Sequence, residues 1–386
     1  MVRGARGARG ALTVALVLVA TALTACSGPA VSAPPSAPPN TVRIPLSAAT
    51  SASGGWATVA MGHLGDPLNT FWELFHLTGT PARWTLATPP GVASNGGLVL
   101  APGAGNSLAA GFEPTDLLHF SPLSLSSNGA ASWTTGTVPG ELLDAPDALA
   151  AAGTGYLALL RTGGGTLVAN DGDLNTWTTT SVPAGLTPAG CGPTVTTAVA
   201  ALADGSPVIG GDCTRGTRAA ILLDRGGRWT SVGPVLPVVT GRAIRVVRLV
   251  GTADGAAALL RTGDATHGSL FAAWSRDDLA TWSVSPALTT AASDLASTSV
   301  TPADGFVVTA GGTTGSRLAA VIDPGSSAWH RLPAPPSGTA VVAALPNGGY
   351  DAMTVDQSTL DVSTLGDAGW TLQARVKVPV SYGSSG

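Results

Sequence analysis

The chain has 386 residues, of which only 11% are charged, and its formal net charge at pH 7 is −4. This composition has no basic excess, which argues against a nucleic-acid partner, because such binding depends on neutralising phosphates. Hydrophobic residues make up 44% of the chain, enough for a folded core, and 51 glycines and 29 prolines supply turns for many short strands.

The first 25 residues have the pattern of an export signal. Arg3, Arg6 and Arg9 give a positively charged start, and residues 11–23 form an apolar run. That run has the length of a signal-peptide core and is short for a membrane span. We therefore predict a signal peptide over residues 1–25.

The signal ends in Leu23-Thr-Ala-Cys26, which resembles the lipobox of bacterial lipoproteins. The resemblance implies transfer of a diacylglyceryl group to the Cys26 thiol, cleavage before Cys26 and acylation of the new N terminus. More than one acyl chain gives stable anchoring, so we expect the membrane as a partner through the lipid, on the extracytoplasmic face of the cell membrane. An ordinary signal peptide with an incidental cysteine is the alternative.

Residues 26–40 are rich in proline, alanine and serine and predict an extended, semi-rigid tether. The folded domain is expected over residues 41–386. Here short runs of Val, Leu, Ala and Thr are separated by Gly, Pro, Asn and Asp, which is typical of strands.

One unit recurs along this domain. The hexapeptide ALLRTG at 158–163 returns at 258–263. Two markers alternate without a miss: a turn that ends in glycine (Gly55, Gly97, Gly155, Gly205, Gly255, Gly305 and Gly349) and a tryptophan after a polar turn (Trp84, Trp133, Trp177, Trp229, Trp282, Trp329 and Trp370). A typical unit runs from Thr196 to Val232, with its strands expected at 196–202, 207–211, 217–224 and 228–232.

The spacing of the tryptophans ranges from 41 residues (Trp329 to Trp370) to 53 (Trp229 to Trp282). Four antiparallel strands at this period predict an all-β, seven-bladed β-propeller, with six or eight blades as alternatives. Each blade is too small to bury both faces, so neighbouring blades share the core. The tryptophan is expected to cover the seam between neighbouring sheets. A β-solenoid is the alternative, although its repeats are usually shorter.

The segment Ser275-Arg-Asp277-Asp-Leu279-Ala-Thr281-Trp282 resembles the Asp-box of BNR and sialidase-like propellers, with leucine in place of the motif's glycine. The copy that ends at Trp177 keeps only the tail, and the other five units keep a turn and the tryptophan. In that family the motif closes a blade edge away from the ligand site. The resemblance therefore implies a structural role.

Both ends of the domain read as strands, Thr41–Ala48 and Arg375–Tyr382. We expect one of them to complete a sheet shared by the two ends of the chain. Cys191 and Cys213 are the cysteines that remain besides Cys26, and in an exported protein they predict one disulfide. Free thiols and a metal site are the alternatives.

Four arginines form the candidate binding site. Arg245 and Arg248 lie on the expected inner strand of the fifth unit, where alternation should turn them to opposite faces. Arg161 and Arg261 end the second strands of the third and fifth units. Some of these arginines are expected to meet at one face and bind an anionic group such as a carboxylate or phosphate. Solvated strand ends paired with aspartate are the alternative.

Enzymatic signals are few. Arg43-Ile-Pro45 resembles the R-I-P motif of sialidases, whose arginine grips the substrate carboxylate, but Val42 replaces the expected aromatic residue, and no Tyr–Glu pair can be aligned. The five histidines lack metal-ligand spacing, and no nucleotide or nucleophile motif is present. We expect no catalytic residue, metal or cofactor, and a binding or scaffold role with an envelope protein or an anionic glycan. A sialidase-like glycoside hydrolase acting on envelope or host glycans is the alternative.

Overall fold

The computed structural model describes residues 47–50, 55–63, 70–89, 97–112, 120–143, 147–161, 166–170, 173–182, 195–214, 216–237, 243–263, 267–291, 295–311 and 317–378. The predicted signal peptide, the predicted tether, Cys26 and Arg43-Ile-Pro45 lie outside these residues. In the described ranges every named element is a β-strand, and no helix that could span a membrane is found there.

The described strands group into seven consecutive four-stranded units, called units 1 to 7; in unit 5 the fourth position is divided between two short strands. Unit 1 has β1 (Ser47–Thr50), β2 (Trp56–Gly62), β3 (Thr70–Thr78) and β4 (Arg83–Leu86). Unit 2 has β5 (Leu98–Pro102), β6 (Leu108–Phe112), β7 (Ser121–Ser126) and β8 (Thr134–Val138). Unit 3 has β9 (Leu149–Ala152), β10 (Gly155–Leu160), β11 (Thr166–Asn170) and β12 (Thr178–Ser181). Unit 4 has β13 (Thr196–Ala201), β14 (Pro207–Cys213), β15 (Ala220–Arg225) and β16 (Arg228–Ser231).

Unit 5 has β17 (Ala243–Thr252), β18 (Gly255–Gly263), β19 (His267–Ser275) and β20 (Ser283–Val284), and β21 (Leu288–Ala291) also pairs with β19. Unit 6 has β22 (Leu295–Val300), β23 (Phe306–Gly311), β24 (Arg317–Ile322) and β25 (His330–Arg331). Unit 7 has β26 (Thr339–Ala344), β27 (Tyr350–Asp356), β28 (Thr359–Gly366) and β29 (Gly369–Lys377).

Within each unit, consecutive strands pair antiparallel, so every unit is an up-and-down meander. The tight turns follow from local chemistry. In unit 4, Gly205 takes the left-handed φ of +83° that the turn requires, and the Asp204 carboxylate accepts the backbone N–H of Ser206 at 2.9 Å. The prediction of an all-β fold built from four-stranded antiparallel units is confirmed.

Apolar side chains form seven clusters, and each cluster lies between two units. Six clusters join a unit to the next one along the chain. The seventh joins unit 7 to unit 1, where Met353 and Leu360 pack with Val59 and Phe75. A meander exposes two apolar faces, and these clusters bury both of them, as the shared-core prediction requires.

The seven marker tryptophans all pack at the seam with the preceding unit, which confirms the role predicted for them. Four of them also donate their indole N–H to a backbone carbonyl of that unit: Trp177 to Thr137 at 2.8 Å, Trp282 to Val232 at 2.7 Å, Trp329 to Pro286 at 3.0 Å and Trp370 to Pro333 at 3.0 Å. Each indole therefore fastens its own sheet to the one before it.

The prediction of a sheet shared by the chain ends is wrong for the described residues. The segment Ser47–Thr50 is the first strand of unit 1, and Arg375 lies on the last strand of unit 7, in a different sheet. The reason is that residues 339–377 supply all four strands of unit 7. Side-chain packing and hydrogen bonds join the two units instead, including that from the Trp84 indole to the Asp351 carboxylate at 2.7 Å.

Candidate functional site

Three of the four predicted arginines lie in unit 5. Arg245 and Arg248 are on β17, and Arg261 is opposite Arg245 on β18. Arg161 follows β10 in unit 3, so it belongs to another sheet. The structure therefore brings Arg245 and Arg261 together and does not add Arg161 to them.

The prediction that Arg245 and Arg248 face opposite ways is wrong. A β-bulge between Val246 and Arg248 adds one residue to β17, so the alternation shifts. Arg245 pairs with Arg261 and Arg248 pairs with Leu259, and these two partners are two residues apart on β18. Residues two apart on a strand share a face, so Arg245, Arg248 and Arg261 lie on one face of the unit 5 sheet.

The exposed part of this face is a row of three charged residues, Asp212, Arg245 and Arg261, which we call the rim row. Asp212 on β14 is the cross-strand partner of Arg245 on β17, and Arg245 is the partner of Arg261 on β18. The pairing of β14 with β17 joins units 4 and 5. The Asp212 carboxylate lies 3.2 Å from Nε of Arg245, and the Arg245 side chain is 44% exposed. Two guanidinium groups directly opposite each other repel, and the Asp212 carboxylate beside Arg245 reduces that repulsion.

Arg248 lies deeper on the same face and is buried. Its Nε is 3.6 Å from the Asp147 carboxylate, and its Nη1 donates to Oγ1 of Thr298 at 3.1 Å. The second carboxylate oxygen of Asp147 accepts the N–H of Leu249 at 2.8 Å. The backbone carbonyl of Asp147 accepts the N–H of Val199 at 2.9 Å. These bonds connect the start of unit 3 to units 4, 5 and 6.

Burial raises the pKa of Asp147 from 3.8 to about 6, against the opposing effects of the Arg248 charge and the Leu249 N–H. Desolvation therefore destabilises the ionised carboxylate by more free energy than its interactions with Arg248 and Leu249 restore. Because the Arg248 side chain is only 5% exposed, it cannot reach a ligand in solvent. We conclude that Arg248 supports the site from within and that Arg245 and Arg261 are the accessible cations.

The sequence did not indicate Asp147, Asp212 or Thr298. Asp147 precedes β9 by two residues and is about one hundred residues from Arg248, so no local pattern connects them. Asp212 directly precedes Cys213, whose predicted disulfide marked this end of β14. That position was the one signal that could have drawn attention to Asp212.

Cys213 ends β14, is fully buried and is disulfide-bonded. Cys191 lies outside the described residues, so the pairing of Cys191 with Cys213 stays a prediction. The disulfide is next to Asp212 in the chain and holds the end of β14, the strand that carries Asp212. It therefore restrains the backbone of the candidate site.

The segment from Ser275 to Trp282 forms a closed turn away from the rim row. The Asp277 carboxylate accepts the Ser275 hydroxyl and the Thr281 N–H, both at 2.9 Å, and Leu279 takes a left-handed φ of +68°. The bonds of the Asp277 carboxylate are internal to this turn, whereas Asp278 pairs with Arg225 and the Trp282 indole binds Val232, both in unit 4. These contacts close the turn and fasten it to the neighbouring unit, which suits a structural element. Among the described residues no group of three or more His, Cys, Asp or Glu side chains could hold a metal ion.

Comparison with known proteins places the fold. No family model matches the chain, and no curated protein matches its sequence. A 6-phosphogluconolactonase-like protein from Bacteroides uniformis is 14% identical over 84% of this chain and 97% of its own, with a TM-score of 0.54. A second from Bacteroides fragilis is 13% identical over 85% and 96%, with a TM-score of 0.52.

The GH74 xyloglucanase from Xanthomonas campestris is 15% identical over 82% of this chain, with a TM-score of 0.55, and the chain spans 51% of that protein. The seven units are meanders that pack face to face, and the last unit packs against the first. This arrangement decides the architecture. The fold is a β-propeller. Identities this low show the fold alone, so the function of this propeller has to be argued from its residues.

Proposed function

We propose that this protein is a non-catalytic β-propeller that binds an anionic partner at the cell envelope through the rim row. The observation that carries the proposal is the direct opposition of Arg245 and Arg261 on neighbouring strands, with Asp212 as the adjacent carboxylate. The Arg245 side chain stays 44% exposed beside Asp212, so an anionic ligand can reach its guanidinium from solvent.

Guanidinium groups suit this role because each is planar, permanently charged and able to form paired hydrogen bonds to a carboxylate or phosphate. The exposed Arg245 side chain makes first contact, and Arg261 is half-buried beside it. Envelope polymers that carry carboxylates and acidic segments of envelope proteins both have the required chemistry.

The test is titration calorimetry of the purified protein with a soluble polyuronate at low salt. Arg245→Gln should weaken binding about tenfold, the loss expected for one charge-assisted contact. Arg228→Gln is the matched control, since Arg228 is an exposed arginine on the outer strand β16. Equal affinities for wild type and Arg245→Gln would refute the proposal.

We further propose a lipid anchor at Cys26, a tether over residues 26–40 and a ring of seven blades over residues 41–386. The lipobox resemblance supports the first, and the alternating markers, with seven four-stranded units in the described residues, support the last. Cys26→Ser should abolish labelling by radioactive palmitate and release the protein from membranes. Retention of both would refute the anchor.

The alternative is a sialidase-like glycoside hydrolase, which the Arg43-Ile-Pro45 resemblance favours. Such enzymes need a paired acid and nucleophile within reach of one sugar. Release of free sialic acid or reducing ends from envelope glycans by the wild-type protein, lost in Arg43→Gln, would establish it.

A further inference from the structure

Exposed apolar side chains flank the rim row on the unit 4 side. Val195 is 63% exposed, the highest value among the large apolar residues that the structure describes, and Val235 is 54% exposed. The backbone carbonyl of Val195 accepts the N–H of Asp212 at 2.8 Å, so Val195 is immediately beside the rim row.

Val235 lies on the other side of β14 from Arg245, beyond the segment that precedes β15. Gly211 pairs with Ala220, the N–H of Ala219 donates to the carbonyl of Pro234 at 2.9 Å, and Arg218 bridges to Val235. Starting from Arg245, the strand order is therefore β17, β14, the segment before β15 and the segment with Val235. Three steps of about 4.8 Å separate Arg245 from Val235 by roughly 14 Å.

Arg218, between these valines, is also exposed, and its guanidinium donates to the carbonyl of Gly233 at 2.7 Å. The surface thus has cations at Arg245 and Arg218 and apolar contacts at Val195 and Val235. The buried disulfide at Cys213 holds its central strand, and a restrained surface loses less entropy on binding.

From this pattern we infer that the partner of the rim row is an extended protein segment that carries acidic and apolar side chains, and not a glycan. The inference rests on the proposed anion binding at Arg245. An extended chain of about five residues spans the distance from Arg245 to Val235. A glycan of uronate residues would satisfy the arginines and leave the two valines in water.

The test compares two probes by fluorescence anisotropy. One is a labelled peptide with a glutamate and a leucine four residues apart, and the other is a labelled oligouronate. Val195→Ser and Val235→Ser should each weaken peptide binding about three- to tenfold, the loss for one buried valine contact, and leave oligouronate binding within about twofold. Leu372→Ser is the control, because Leu372 is 54% exposed on the outer strand β29.

The outcomes separate the two proposals. The inference is supported if Arg245→Gln weakens binding of both probes and the valine variants weaken binding of the peptide alone. Unchanged peptide binding in both valine variants, or equal binding of a peptide whose leucine is replaced by serine, overturns it and leaves anion binding standing. Unchanged binding of both probes in Arg245→Gln overturns the proposed function itself. Because both valines are exposed, unchanged melting temperatures should confirm that the variants fold.

Discussion

Replacing Arg248 by methionine should destabilise the protein in a strongly pH-dependent way. Arg248 is the positive partner of the fully buried Asp147, whose pKa is already about 6. Methionine keeps much of the volume and removes the charge, so the pKa of Asp147 rises further. Above that pKa the folded protein must hold an uncompensated buried carboxylate, which costs about 3–5 kcal/mol.

The sign follows from proton binding. In the wild type the folded state binds the Asp147 proton more tightly than the unfolded state, whose pKa is near 3.8. The free energy of unfolding therefore falls as the pH rises from 3.8 to about 6, by roughly 3 kcal/mol, and then levels off. In Arg248→Met the fall should continue above pH 6. At pH 5 the carboxyl is largely protonated in both proteins, so the loss should be only about 1 kcal/mol, from the bond to Thr298.

Urea unfolding at pH 5 and pH 8, followed by tryptophan fluorescence, measures both quantities. Thr298→Val is the control, because it removes the same hydrogen bond without removing a charge and should cost about 1 kcal/mol at either pH. An equal loss for Arg248→Met at the two pH values would refute the reasoning, as would a variant as stable as the wild type at pH 8.

Three further changes test other contacts. Burial lowers the pKa of His76, whose ring stacks on Trp56 at 3.8 Å. The free energy of unfolding should therefore fall as the pH drops below 6.5, because the unfolded state binds the proton more tightly. Melting curves at pH 5 and 7.5 should show a smaller loss of stability in His76→Phe than in the wild type. Leu279→Gly relieves a left-handed leucine, worth about 1–2 kcal/mol, but removes a buried side chain worth about 2–5, so urea unfolding should show a net loss of roughly 1–3 kcal/mol. Cys213→Ala should cost about 2–5 kcal/mol and make stability insensitive to dithiothreitol; a variant that loses stability on reduction would contradict this.

The repeating unit could be predicted because its signals are local. The strands expected in unit 4 match β13 to β16 closely, since alternating apolar residues and Asp-Gly or Gly-Gly turns fix them. The glycine markers were less uniform than the tryptophans. Gly97 opens β5, the first strand of unit 2, whereas Gly155, Gly255 and Gly305 open or precede second strands.

The facing of the arginines could not be predicted, because one bulge residue reverses a strand's alternation and leaves no sequence signature. The partners Asp147 and Asp212 come from other units, so their proximity depends on how the blades pack. A turn in unit 2 was also missed: Asn128 accepts the N–H of Ser132 at 3.0 Å, and Ser126 accepts that of Ala130 at 2.9 Å. Asn128 thus accepts a backbone N–H four residues later in unit 2, as Asp277 does in unit 5.

The most direct test of the central claim compares Arg245→Gln with Asp212→Asn in one titration with the oligouronate. If the rim row binds an anion, the two variants should change affinity in opposite directions. Arg245→Gln should weaken binding about tenfold, and Asp212→Asn should strengthen it, because the competing carboxylate is gone. A decrease in both variants would show that they act through structure alone, and no change in either would place the binding site elsewhere; both results would contradict the claim.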